Sequence, residues 1–140
     1  MRILLQSTNQ TRFVMKKLVF ILLLAPFAAY AQPSASAIFK ALGSGDATAL
    51  SAYMDSSVEI TLLDMEDYLD KAEAVQVLKK FFAKYKPTGF DAMHEGQSKA
   101  GGLHYTIGEL KTAQGIYRVY LLLGTAGSRY VVQQIRITRE

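Results

Sequence analysis

The chain contains no cysteine among its 140 residues. It can therefore form no disulfide, no thiolate metal site and no lipid-modified N-terminal cysteine. It also contains no Gly-rich phosphate loop and no Gly-x-Ser-x-Gly sequence, so two common signatures of nucleotide binding and ester hydrolysis are missing. Only two histidines are present, His94 and His104. The domain must hold together by its hydrophobic core alone.

The first 31 residues have the pattern of a secretory signal peptide. Lys16 and Lys17 form a basic start, residues 18–29 are almost wholly apolar, and Ala29-Tyr30-Ala31 places small residues at the two positions that a signal peptidase reads. We expect cleavage before Gln32, with Met15 as an alternative start. The protein is then exported to the periplasm or beyond the cell, is not a lipoprotein, and keeps no stable membrane anchor after cleavage.

Removing this segment changes the charge of the chain. The whole sequence has 16 Lys and Arg against 12 Asp and Glu. Four of the basic residues and none of the acidic ones precede Gln32, so residues 32–140 are neutral overall. A neutral domain gives no reason to expect a nucleic-acid partner. Its 109 residues are enough for a single domain with one core.

The pattern of residues 32–140 predicts an α+β domain. Two short helices are separated by "GSG", and Asp46 caps the second helix, which carries Leu50, Tyr53 and Met54. "SVEITLL" reads as a strand, and "DMEDYLD" as a polar break or hairpin with little regular structure. Asp70 caps a long helix that Pro87 ends, with an apolar stripe along one side. Four antiparallel strands follow as a meander and wrap helices on one face.

The two histidines are predicted to lie on opposite faces of this sheet. Successive side chains on a strand alternate faces. His104 alternates with Tyr105 and therefore points away from the helices, whereas His94 shares the parity of Phe90 and points inward. A bulge at Met93 would instead turn His94 outward beside His104. Two imidazoles without a third ligand make a poor zinc site, and no metal ion or other cofactor is expected.

The same alternation divides the remaining strand residues between two faces. Polar residues in the inward set need partners, a cavity or a ligand, and apolar residues in the outward set mark an interface. With a turn centred near Ala126, Tyr120 falls opposite Val132 and Leu122 opposite Tyr130. The inward set is Tyr105, Ile107, Glu109, Tyr117, Val119, Leu121, Val131, Gln133, Ile135 and Ile137. The candidates for a ligand pocket are Tyr53, Phe82, His94, Tyr105, Glu109, Tyr117 and Gln133. The candidates for a dimer face are Arg118, Tyr120, Leu122, Tyr130, Val132 and Arg136.

Several segments carry a family resemblance. "ALGSGDATALSAYMDSSVEITL" resembles the opening of the nuclear transport factor 2-like fold. "KAEAVQVLKKFFAKYKPTGFDAMHEG", "YTIGELKTAQGIYRVYLLL" and "VVQQIRITRE" further resemble a DUF4783-like family of secreted bacterial domains of unknown function, over nearly all of residues 34–140. The resemblance implies a cone-shaped, curved antiparallel sheet wrapped on helices (nuclear transport factor 2-like, cystatin-like), often dimerising through its outer face.

The resemblance implies no activity, because this fold hosts isomerases, dehydratases, carriers and interaction domains. Its ketosteroid-isomerase-like members use an interior Asp as base, and this chain offers no clear interior Asp, only Glu109 in the inward set. The preferred hypothesis is therefore a secreted, non-catalytic binding domain that forms a homodimer. It would take a small apolar ligand in the cone or an envelope partner protein on the sheet face. The alternatives are a cofactor-independent lyase or isomerase and a structural subunit of an envelope assembly.

Overall fold

The computed structural model describes residues 33–99 and 102–140, which lie within the compact unit Gln32–Glu140. The signal peptide predicted at residues 1–31 lies outside the described residues. Among those that are described, no helix is both long and apolar enough to span a membrane. The elements are α1 (Ser36–Ser44), α2 (Ala47–Ser51), β1 (Met54–Leu62), β2 (Met65–Asp70), α3 (Lys71–Tyr85), β3 (Pro87–Gln97), β4 (His104–Thr112), β5 (Gly115–Ala126) and β6 (Arg129–Arg139).

The helix boundaries follow local signals in the sequence. Gly45 ends α1 with φ 66°, a left-handed conformation that glycine adopts without steric cost. The side chains of Asp46 and Asp70 accept hydrogen bonds from backbone N–H groups three residues ahead, at 2.9 and 2.8 Å, and so cap α2 and α3. These three predictions are confirmed. Tyr53 and Met54 do not belong to α2, however, since Met54 already opens β1.

The polar segment after β1 is a strand, and the prediction of little regular structure there was wrong. β2 pairs antiparallel with β1 over six residue pairs, from Ser57–Asp70 to Leu62–Met65. Most of its side chains are exposed, because it lies at the edge of the sheet. The strand is held by backbone hydrogen bonds to β1 rather than by burial, so it shows little of the apolar alternation that usually reveals a strand.

The six strands form one open, curved sheet in the order β2-β1-β6-β5-β4-β3. The predicted meander is confirmed, since β3, β4, β5 and β6 pair antiparallel in chain order. β1 joins the meander by pairing parallel with β6. Helices α1 and α3 pack on one face of the sheet, and α2 packs against both of these helices. The face that the helices cover is called here the inner face, and the opposite face is the outer face.

A single hydrophobic core fills the space between helices and inner face. The predicted stripe of α3 is confirmed, because Leu78 is fully buried and Phe81, Phe82 and Tyr85 are at most 7% exposed. Aromatic rings fill the centre, with Phe81 and Tyr85 at a centroid distance of 4.6 Å. The sheet contributes the fully buried residues Val58, Ile60, Leu110, Val119, Leu121, Val132, Ile135 and Ile137.

Candidate functional site

The faces of β4 follow from its pairing with β5. Residues directly opposite each other on neighbouring strands share a face, and Thr106 and Leu110 lie opposite the buried Leu121 and Tyr117. The even-numbered residues of β4 therefore face the helices. Tyr105, Ile107 and Glu109 were predicted to point inward and instead lie on the outer face.

The reason for this reversal lies in a neighbouring strand. Gly108 is on the inner face of β4, and the ring of Phe90 from β3 lies over it: a Cβ at Gly108 would come within 2.5 Å of that ring. Phe90 in turn packs on Phe39 of α1, with ring centroids 5.3 Å apart. The inner side of β4 is thus filled by a residue of another strand, and its own inward residues can be small or polar.

The faces of β6 differ from the prediction because its register differs. The β5–β6 turn has Gly127 at φ 62° and is closed by the pair Ala126–Arg129, three positions from the predicted register. An odd shift moves every side chain to the opposite face. Tyr130 and Val132, predicted outward, lie on the inner face opposite Thr125 and Leu123.

A bulge then restores the predicted faces further along β6. Leu122 pairs with Gln134 but Leu123 pairs with Val132, so Gln133 is the extra residue. Beyond the bulge, Ile135 and Ile137 face inward and Arg136 outward, as predicted. Val131 and Gln133, predicted inward, lie on the outer face, where the Gln133 side chain covers Gly124.

The two histidines lie on opposite faces, as predicted, but each on the face assigned to the other. The pairing of β3 with β4 shifts between Ala92 and His94, which makes Met93 a bulged residue and turns His94 outward opposite Ile107. His104 lies opposite Gln97 and Leu123 and points inward. Within the described ranges, no three His, Asp or Glu side chains come close enough to hold a metal ion.

His104 belongs to a pocket of about 290 Å³ at the mouth of the cone, between the β3–β4 end of the sheet and the start of α1. The Nδ1 atom of His104 lies 3.3 Å from the hydroxyl of Tyr130, and its Nε2 atom lies 3.2 Å from Nε2 of Gln97. The imidazole and the Tyr130 ring meet edge to face at 4.8 Å. The other residues that line the pocket are Ala35, Glu95, Gly96, Tyr105, Thr106 and Leu123. This set, termed the mouth pocket, joins an imidazole to a phenol, an amide, a carboxylate and a hydroxyl.

Sequence reasoning did not bring these residues together. His104 and Tyr130 were assigned to one common face, but β5 lies between their strands, and alternation along single strands does not show that their side chains meet across it. Glu95 and Gln97 were not singled out. The alternation of side chains along β3 was the one signal that could have placed them on the same face as His104. The bulge at Met93 interrupts this alternation.

The outer face carries an aromatic and aliphatic cluster, termed the outer patch, that consists of Tyr105, Ile107, Tyr120 and Leu122. Ile107 lies opposite Tyr120, and Tyr105 opposite Leu122. The rings of Tyr105 and Tyr120 are nearly parallel, at 15°, with centroids 6.5 Å apart. All four side chains are half-buried within the single chain. They form a continuous apolar surface across two central strands.

Charged residues border the outer patch. The Arg136 guanidinium lies 6.0 Å from the centroid of the Tyr120 ring, and Arg118 forms a 3.1 Å ion pair with Glu140. A second pocket, of about 210 Å³, lies beside this pair and includes His94 and Glu109. Arg118 and Arg136, two of the candidates for a dimer face, therefore lie at the border of the outer patch.

At the far end of this border, Lys111 and Asp91 form an ion pair at 2.7 Å. The hydrogen bond to Asp91 and the negative charge of that carboxylate hold the pKa of Lys111 above its ordinary value of 10.5, and Glu109 adds to the effect. Both side chains are more than half exposed, so water screens the pair and its contribution to stability is small.

The other candidates for a ligand pocket lie elsewhere. Phe82 and Tyr117 are buried in the core, where Tyr117 packs edge-on against Tyr85 at 5.2 Å. Tyr53 lies under the guanidinium of Arg129, which also donates a hydrogen bond to the carbonyl of Ala52. Of the seven candidates, only Tyr105 lines the mouth pocket. A ligand role for the others stays a prediction.

Residues 35–138 match the family model described as Domain of unknown function (DUF4783). The chain belongs to the DUF4783 family. A crystal structure of a DUF4783 family protein from Bacteroides ovatus is 29% identical, with a TM-score of 0.71, over 79% of this chain and 98% of that one. No curated protein matches the chain.

More distant structures show the fold to which the DUF4783 domain belongs. The protein Rd1NTF2_04 with long sheet is 13% identical, with a TM-score of 0.60, over 74% of this chain and 94% of that one. An uncharacterized cystatin fold protein from Novosphingobium aromaticivorans is 15% identical, with a TM-score of 0.54, over 75% and 94%. The predicted family and the nuclear transport factor 2-like, cystatin-like fold class are both confirmed.

Proposed function

We propose that this DUF4783 protein is an exported, non-catalytic binding domain that works as a homodimer through the outer patch. The observation that carries the proposal is the patch itself: Tyr105, Ile107, Tyr120 and Leu122 form one continuous surface across the two central strands β4 and β5. Contiguous apolar surface of this kind usually marks an interface. Aromatic residues at its centre are the side chains that contribute most to binding energy.

The interior of the cone supports a surface function over a ligand enclosed in the core. Leu78, Leu110 and Leu121 are fully buried, and the rings of Phe81 and Tyr117 pack edge-on at 6.3 Å. Close-packed interiors contain few voids larger than a water molecule, and these buried side chains occupy the centre of the core. An apolar ligand in the core and a lyase or isomerase acting there are accordingly less favoured than a partner on the sheet.

The chemistry of the border suits a two-fold symmetric partner. In an isologous dimer each residue of the patch meets the same patch of the second copy. Tyr120 would lie near the centre, and Arg118 and Arg136 at the rim, where charges affect orientation and association rate more than affinity. The four residues alone provide a modest apolar area, so we expect a dimer of moderate affinity.

Analytical ultracentrifugation tests this assembly. The protein should be dimeric at about 100 μM, and Tyr120→Asp should weaken dimerisation by about 30-fold or more while the chain stays folded. Tyr68→Asp is the matched control, because Tyr68 lies on the outer face of the edge strand β2 and is 69% exposed. A wild-type protein that is monomeric at this concentration would refute the homodimer.

Export rests on the predicted signal peptide and is tested separately. N-terminal sequencing of protein purified from its own host should give a chain that begins at Gln32. A protein that retains Met1 or Met15 would contradict export. If the protein is exported but monomeric, the partner on the outer patch would be a different envelope protein.

A further inference from the structure

Among its lining residues, the mouth pocket shares only Tyr105 with the outer patch. It lies on the inner side of the sheet, where His104 and Tyr130 converge from β4 and β6. Dimerisation through the outer patch would leave it open to solvent. Its volume of about 290 Å³ is just below the ~300–1,000 Å³ found for small-molecule sites. The pocket therefore suits a molecule with a single ring.

The hydrogen bonds of His104 leave the hydroxyl group of Tyr130 able to bond to a ligand as well. If the Gln97 amide donates to Nε2 of His104, the ring proton is on Nδ1 and is donated to the hydroxyl oxygen of Tyr130. The hydroxyl hydrogen of Tyr130 is then free to donate. In the other tautomer, Nε2–H donates to the amide oxygen of Gln97, with the amide turned over, and Tyr130 donates to Nδ1. The oxygen of Tyr130 then keeps free lone pairs. In both arrangements the phenol offers the ligand at least one hydrogen-bonding site.

The charges of the pocket exclude one class of ligand. Glu95 is the one formally charged side chain among the described residues that line it, and none of those residues is Lys or Arg. Phosphate and carboxylate groups need such cations or a set of converging N–H donors. An anionic ligand would instead meet the carboxylate of Glu95, and repulsion would weaken its binding.

The mixture of donors and acceptors distinguishes the two remaining classes. An ammonium group only donates hydrogen bonds, so it would suit Glu95 but would leave the donors of Gln97, Thr106 and Tyr130 without partners. A hydroxyl group both donates and accepts and can satisfy all of them. Leu123 adds an apolar surface against which the C–H groups of a ring can pack.

We propose that the mouth pocket binds a neutral, polyhydroxylated molecule of the size of one sugar ring. Glu95 and Gln97 contact neighbouring hydroxyl groups from β3, and Tyr130 donates to or accepts from a third. His104 does not carry charge to the ligand; it fixes the orientation of Tyr130 and Gln97. This binding activity goes beyond dimerisation and does not depend on it.

Ligand-detected NMR on the full-length chain tests the proposal. The probes are D-glucose, D-galactose, D-mannose and myo-inositol, with inorganic phosphate and putrescine as an anion and a cation of comparable size. At least one of the neutral probes should bind, and phosphate and putrescine should bind more weakly or not at all. Tyr130→Phe and Gln97→Leu should each weaken binding by about 2- to 10-fold, the effect of one lost hydrogen bond.

Tyr117→Phe is the matched control, because it removes a hydroxyl from a core tyrosine that does not line the pocket. It should leave binding unchanged. Gln97 is an exposed residue, so its variant remains informative if Tyr130→Phe fails to fold. Three results would overturn the proposal: no neutral probe bound at up to about 50 mM, tighter binding of phosphate or putrescine, or binding unaffected by both pocket variants.

Discussion

The substitution Gly108→Ala gives the sharpest test of how β4 is oriented. A Cβ at this position would lie 2.5 Å from the backbone oxygen of Asp91 and 2.5 Å from Cζ of Phe90. The oxygen belongs to a paired strand and cannot rotate away. The Phe90 ring is held against Phe39. Overpacking of this kind costs about 1–3 kcal/mol of the free energy of unfolding.

Gly89→Ala is the matched control on the neighbouring strand. A Cβ there meets no heavy atom within 4 Å, and the residue does not have a positive φ. Alanine at such a position restricts the unfolded chain and stabilises the protein by up to about 1 kcal/mol. The two variants make the same chemical change, so their difference reports on the packing at Gly108.

Urea denaturation followed by far-UV circular dichroism measures both variants. With a slope near 1–3 kcal/mol per M, the midpoint of Gly108→Ala should fall by roughly 0.5–2 M, while that of Gly89→Ala stays level or rises. Equal midpoints would mean that a methyl group at position 108 has room. In that case the inner-face assignment of β4, on which the mouth pocket depends, would be wrong.

Two further predictions concern β6 and the border of the outer patch. Val132→Asp should prevent folding or lower the free energy of unfolding by several kcal/mol, because Val132 is fully buried and the introduced carboxylate would have no partner. Val131→Asp, on the outer face, should lower it by about 1 kcal/mol or less. Thermal unfolding compares the two, and greater damage from Val131→Asp would contradict the register. For Lys111, the raised pKa in the folded protein means that its ion pair with Asp91 stabilises below pH 10.5 and is lost as the pH rises through the folded-state value. The small stability difference between wild type and Lys111→Met should therefore persist from about pH 7 to 9 and decline only as the pH rises through the folded-state pKa of Lys111, which lies above 10.5. An undiminished difference in strong alkali would refute this assignment.

The order of the helices and of the four meander strands could be predicted because its signals are local. Asp46 and Asp70 cap the helices through groups three residues away, and Gly45 ends α1 through its own backbone angle. The stripe of α3 repeats at the period of a helix. Each of these features involves residues within one or two turns of each other, so the sequence alone contains enough information to place them.

The candidate site could be predicted only in part. Arg118, Tyr120, Leu122 and Arg136 were placed on the correct face because β5 alternates cleanly and the β6 bulge compensated for the wrong register at Arg136. Tyr130 and Val132, the other two members of the predicted dimer face, were placed on the wrong face, because the bulge lies between them and Arg136. Tyr105 and Ile107, which complete the outer patch, were assigned to the core because they are the more apolar set of β4.

The sequence by itself determined the fold class, the family resemblance and the positions of the helices. Only the tertiary structure decided which face each strand residue occupies, that β1 pairs parallel with β6, and that His104 meets Tyr130 across an intervening strand. The physical reason is that side-chain direction in a sheet has a period of two residues, so a single bulge or an odd shift at a turn reverses it. Met93, Gln133 and Gly127 introduce these changes, and whether they do so depends on how neighbouring strands pack.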